Sequence, residues 1–107
     1  MRLEKIEYDG FDYDVGNVRK IQSHGISLGE IEDFFTQELL IVEDAKHSLK
    51  EKRLIAVGLS KKNRPMFVAF TKRTKDKETF IRPISARYCH KKEAEIYESI
   101  KENIAKK

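Results

Sequence analysis

Thr79-Phe-Ile-Arg-Pro-Ile-Ser-Ala-Arg87 is the stretch on which the reading of this chain turns. Its length and its aromatic and β-branched content are those of a strand, yet it carries two arginines. Arginine is rarely buried without an anionic partner, and its planar fork suits phosphate or carboxylate. The stretch is therefore either a charged rim facing water or the floor of an anion-binding site. Strand parity adds a constraint. Arg82 and Arg87 stand an odd number of residues apart, so in a regular strand they face opposite sides of the sheet. They share a site only if a bulge near Pro83 shifts the register, or if the strand ends before Arg87.

The segments before it supply its neighbours. From Arg53 the period is two, with Arg53, Ile55, Val57 and Leu59 on one side and Leu54, Ala56, Gly58 and Ser60 on the other. Lys61–Arg64 is a basic turn, Pro65 opens a strand over Met66–Arg73, and Thr74–Glu78 is a second charged turn. Turns this short predict an antiparallel meander.

Further upstream, residues 3–9 suggest a short strand with Asp9-Gly10 as its turn, and Phe11 with Tyr13 a second extended piece. Asp14 is placed to N-cap a helix running to about His24, with Val15, Val18 and Ile21 on one face and Gly25 closing it. Ser27 and Glu30 form a capping box, Ile26 can staple onto Ile31, and Ile31, Phe34, Phe35 and Leu39 make an apolar stripe. Leu39–Val42 reads as a strand and Glu43–Lys52 as a polar loop. A last helix spans Lys91–Ala105, with Ile96, Tyr97, Ile100 and Ile104 as its buried stripe. The expected class is α+β: one domain over residues 1–107, an antiparallel β-sheet meander packed by two N-terminal helices and one C-terminal helix.

Composition narrows the function. The chain of 107 residues is 37% charged with a net charge of +4, and that sum conceals an asymmetry. Residues 1–45 hold 4 basic and 11 acidic side chains, whereas residues 46–92 hold 15 basic and 3 acidic. A basic half of this kind is the footprint of a polyanion-binding surface, the alternative being lysines that keep edge strands soluble. Cys89 is the single cysteine, which excludes an intrachain disulfide and suits a reducing compartment. No apolar run approaches a membrane span, so a cytoplasmic location is expected.

Several short motifs now align. Tyr13-Asp14-x-x-Asn17, His24-Gly25-Ile26-Ser27 before a helix, Glu51-x-Arg53 before a strand ending in Gly58, Phe70-Thr71-x-Arg73, and Arg82-x-Ile84-Ser85-Ala86-Arg87 followed by Glu93 and Tyr97 occur in that order. Over residues 11–97 the chain resembles BrnT-type toxins. The resemblance implies a RelE-like fold, RNA cleavage, and membership of a type II toxin–antitoxin system. It also implies a cognate protein antitoxin, BrnA-like and DNA-binding, encoded beside the toxin, with dimers or hetero-oligomers open. Two positions depart from the family pattern: Tyr13 stands where tryptophan is usual, and Pro83 where isoleucine or valine is usual.

Cleaving RNA without a metal requires a base for the 2′-hydroxyl, charge stabilisation at the phosphorane and an acid for the 5′-oxygen. No segment has metal-ligand spacing, and neither a metal nor a cofactor is expected. Arg53 and Arg82 are the favoured phosphate binders, and Arg87 either joins them in the catalytic set or sits at the strand end near the start of the last helix; each has the alternative of pairing to an acid of the first helices. His47 is the acid–base candidate, because imidazole is the side chain that changes charge near neutral pH; the alternative is a solvent-exposed loop histidine. Glu51 either serves as a base or pairs with Arg53. Thr71 and Ser85 either offer hydroxyls to a phosphate oxygen or are small strand residues, Arg73 and Lys72 add attraction for the RNA backbone, and His24, at a helix C-terminus, is an RNA-binding candidate with simple stabilisation of the helix end as the alternative. Tyr88 either stacks a base or packs against the last helix.

Overall fold

Residues 53–88 form three strands joined by tight turns: β4 (Arg53–Leu59), β5 (Pro65–Lys75) and β6 (Glu78–Tyr88). This is seen in a computed structural model that describes residues 2–48 and 50–105. The β5–β6 turn is made by Asp76 and Lys77, both with positive φ, as a two-residue hairpin requires. The other elements are β1 (Arg2–Glu4), β2 (Gly10–Phe11), α1 (Val15–Ser23), α2 (Leu28–Phe34), β3 (Leu39–Glu43) and α3 (Lys91–Ala105). The sheet runs β1-β3-β4-β5-β6-β2, and β3 to β6 are the expected antiparallel meander.

Helices cover both faces. Ile21 of α1 and Ile31 and Phe34 of α2 bury against Ala56, Met66, Val68, Phe70 and Ile81 on one face. Tyr97, Ile100 and Ile104 of α3 cover Leu40, Ile55, Val57 and Phe67 on the other. The alternation read from the β4 sequence is the alternation observed. Gly58 is required by close approach, since a Cβ there would collide with the buried Leu39 side chain.

The decisive irregularity is in β6. Ala69 pairs with Ser85, but the next residue, Phe70, pairs with Pro83, so Ile84 is the extra residue of a β-bulge. Three cross-strand rows therefore share the α3 face: Val57–Phe67–Arg87, Ile55–Ala69–Ser85 and Arg53–Thr71–Arg82. Without the bulge, Arg82 would point into the helix-covered core.

Local signals held in part. Asp14 caps α1 through the Asn17 amide at 3.0 Å, and Gly25 follows it at φ 79°. Ser27 caps α2 through the Glu30 amide at 3.1 Å, but the reciprocal half of the box is missing. The buried Glu30 carboxylate instead accepts from the Tyr88 hydroxyl and pairs with Lys62.

Three expectations are corrected. Asp9-Gly10 closes no hairpin: β1 pairs with β3 and β2 runs parallel to β6, at opposite edges of the sheet, with the buried Ile6 between them. Val15 is exposed, because α1 meets the core through its C-terminal half at Ile21. Ile96 is also exposed, because α3 docks through Tyr97, Ile100 and Ile104 and leaves Ile96 on its flank. Leu49, inside the expected Glu43–Lys52 loop, lies outside the described residues.

Deleting Ile84 would force the residues on one side of the bulge onto the wrong face, exposing Ile81 and Pro83 or burying a charge. A loss of at least ~3 kcal/mol in denaturant unfolding is expected, whereas Ile84→Ala, which keeps the extra residue, should lose no more than ~1.5 kcal/mol.

Candidate functional site

The sheet floor formed by Ile55, Phe67, Ala69 and Ser85 opens into a cleft of about 550 Å³. Its walls come from three places: Lys20 of α1 with His24 at its C-cap, Asp44, His47 and Arg53 at the β3–β4 loop, and Arg87 with Glu93 where β6 meets α3. Three cations, Lys20, Arg53 and Arg87, and two histidines face two carboxylates there, so the cleft favours an anion.

The loop wall is built by Ser48. Its hydroxyl donates to the Asp44 carbonyl at 2.7 Å and accepts the Arg53 amide at 2.9 Å, while the Asp44 amide donates to the Arg53 carbonyl at 2.8 Å. A 3₁₀ turn over Ala45–His47 then brings the imidazole back onto Asp44, with Nδ1 2.9 Å from Oδ2. A carboxylate at Nδ1 favours the tautomer whose Nε2 is free to accept a proton. The same Asp44 oxygen lies 3.8 Å from Arg53 Nε, within ion-pair reach but beyond hydrogen bonding. Arg53 Nε is buried without a hydrogen-bond partner, and so is the hydroxyl of its cross-strand neighbour Thr71, a residue only 4% exposed. Buried polar groups are nearly always satisfied, so two adjacent orphans mark a place where a polar ligand would be stabilised.

The opposite wall is closed by a fork. Arg87 donates from both terminal nitrogens to Glu93, at 2.8 and 2.9 Å, with its guanidinium 4.7 Å above the Phe67 ring. Glu93 also accepts the His90 amide at 2.9 Å, capping α3 from its third position. The Arg87 fork, then the His90 amide, hold the Glu93 carboxyl down at about 2, and Glu93 in turn raises Arg87.

Of the residues singled out from the sequence, Arg53, Arg87, His47, His24 and Ser85 line this cleft, with Thr71 beside Arg53. Arg82 shares their face, but its guanidinium donates to the Asp12 carboxylate at 2.9 Å and the Asp12 carbonyl at 3.3 Å, so it turns toward the β2 edge. Glu51 pairs with Arg73 at 3.4 Å rather than with Arg53, and neither lines the cleft. Lys72 stands opposite Ile81, on the other face. Tyr88 is corrected: it packs on the α2 side, where Glu30 takes its hydroxyl and Arg64 covers its ring at 4.0 Å, because the bulge returns it to the face opposite α3. Lys20 and Asp44 were missed. Each was within reach of a spacing argument, Lys20 one helical turn before His24 and Asp44 three residues before His47. Among the described residues no group of three or more His, Cys, Asp or Glu is placed to hold a metal ion, and no helix is long and apolar enough to cross a membrane.

A family model described as ribonuclease toxin, BrnT, of type II toxin–antitoxin system matches residues 13–93, a span that contains every residue lining the cleft. No curated protein matches the chain.

Because the Glu93 carboxyl is held below its ordinary value of 4.5, its contribution to stability is present above that pH and is lost as pH falls toward about 2. Wild type should therefore exceed Glu93→Gln in urea-unfolding stability at neutral pH, with the gap narrowing between pH 4.5 and 2; carbon-detected NMR should place the Glu93 midpoint near 2.

Proposed function

The chain belongs to the BrnT family of ribonuclease toxins of type II toxin–antitoxin systems, and from that premise we propose that the cleft between α1, the β3–β4 loop and the α3 N-terminus is where RNA is cut. The protein is an endoribonuclease with an RNA target and a protein antitoxin. We read residues 1–107 as one RelE-like toxin domain acting on mRNA in the cytoplasm, paired with a BrnA-like antitoxin, and the helix-and-meander order supports the fold part of that reading.

The observation that carries the site is the shared Asp44 carboxylate. It orients His47 through Nδ1 and stands beside Arg53, whose Nε has no hydrogen-bond partner. In the reaction we propose, His47 Nε2 takes the proton of a 2′-hydroxyl as the 2′-oxygen attacks phosphorus. Arg53 and Arg87 meet the charge that develops on the phosphorane, and the Ser85 hydroxyl is placed to donate to one of its oxygens. The P–O5′ bond breaks, leaving a 2′,3′-cyclic phosphate, and the 5′-oxygen takes a proton from His24, which reaches the cleft from a separate element. Lys20 adds attraction for the backbone. No metal enters this scheme, since the side chains supply base, acid and charge. Arg82 is a support rather than a reactant: it ties β6 to Asp12 one strand away from the cleft. Glu51, Arg73, Lys72 and Tyr88 have no assigned part.

Induced expression of single variants at equal protein level tests the assignment. Arg53→Ala and His47→Ala should each lower RNA cleavage by ~10²–10³-fold and relieve growth arrest, while Arg82→Ala should lose much less. Wild-type cleavage should persist in a chelator. Full activity in both Arg53→Ala and His47→Ala would reject the cleft as the site.

A further inference from the structure

Next to the cleft, between α3 and the sheet, runs a second groove of about 220 Å³, lined by Leu40, Val42, Val57, Ile96, Tyr97 and Ile100. It meets the cleft directly, because Ile55, Phe67 and Glu93 line both. Three large hydrophobic side chains stand exposed among the described residues, and two of them, Val42 at 36% and Ile96 at 53%, are on this groove.

The lining chemistry selects the occupant. A nucleobase buried here would leave most of its hydrogen-bonding edge unpaired, since the groove's polar side chains are Glu93, which Arg87 already holds, and Tyr97, which is itself buried. Stacking is also poorly served: Phe67 is covered by the Arg87 guanidinium, and Tyr97 is buried with Lys101 over its ring. Apolar side chains of a protein fit without such a penalty. Across the shared wall, the cations Lys20, Arg53 and Arg87 outnumber the carboxylates Asp44 and Glu93 and favour a further anion.

We propose that this groove is the docking site of the antitoxin, which lays apolar side chains over Val42 and Ile96 and extends carboxylates into the adjoining basic cleft. Inhibition then follows from one continuous segment that anchors on the apolar side and occupies the phosphate side. This rests on reading the cleft as the catalytic site.

The test uses the purified full-length chain and the purified protein encoded beside it, with affinity read by calorimetry and RNA cleavage measured on the same free preparations. Ile96→Glu and Val42→Glu, both at exposed positions and checked for native circular dichroism, should each weaken antitoxin binding at least ~10-fold and leave free cleavage within about twofold of wild type. Wild-type antitoxin affinity should also fall as salt rises. Unchanged antitoxin affinity in both variants would overturn the proposal. So would loss of cleavage with antitoxin affinity intact, which would give the groove to RNA, or a wild-type dimer dissociated by Ile96→Glu in sedimentation, which would give it to a second copy of the chain. Failure of the catalytic reading is distinguishable: it shows as full cleavage by Arg53→Ala and His47→Ala, whatever the groove variants do.

Discussion

A β-strand presents alternate residues to opposite faces, and one extra residue reverses that assignment for everything beyond it. Ile84 is that residue. It lets β6 present Ser85 and Arg87 to the α3 face and, after the skip, Arg82 to the same face, while Ile81 and Pro83 stay in the core. That Arg82 shares a face with Ser85 and Arg87 is a consequence of this displacement. Proline at 83 is consistent with it, because a residue without an amide hydrogen is tolerated where the ladder is already broken.

Sharing a face did not make the arginines equivalent. Arg82 is hydrogen-bonded to Asp12, and Arg87 is held in a fork by Glu93, whereas Arg53 touches its carboxylate only at ion-pair distance. An incoming phosphodiester would have to displace Glu93 to use both terminal nitrogens of Arg87, exchanging one anion for another. At Arg53 it would gain a donor that has no present hydrogen bond. The difference in engagement, rather than proximity in sequence, is why the proposed chemistry gives Arg53 more weight than Arg82.

The meander, the two helix caps and the last helix were legible because each is written in neighbouring residues: a period of two, Asp14 or Ser27 before an apolar run, a stripe at helical spacing. A bulge near Pro83 was also visible as one of two ways, with a strand ending before Arg87, to reconcile the odd separation of Arg82 and Arg87. Which carboxylate would claim which guanidinium was not. Asp12 meets Arg82 across 70 residues, and Tyr88 finds Glu30 across 58, through an arrangement of strand edges and helices that no local pattern encodes. The apparent hairpin at Asp9-Gly10 misled for the same reason: a turn signal does not specify which strand comes next.

That early segment has a further implication. The first dozen residues supply both outermost strands, and Asp9 and Asp12 are secured by Thr79, Ile81 and Arg82, made much later in synthesis. Contacts spanning so much of the chain close late, after their large loop entropy has been offset by other packing. A nascent chain on the ribosome therefore lacks the sheet's second border and the helix that brings Glu93 to Arg87. For a member of a toxin family, assembly of the candidate cleft is thereby deferred until residues 79–93 have been made.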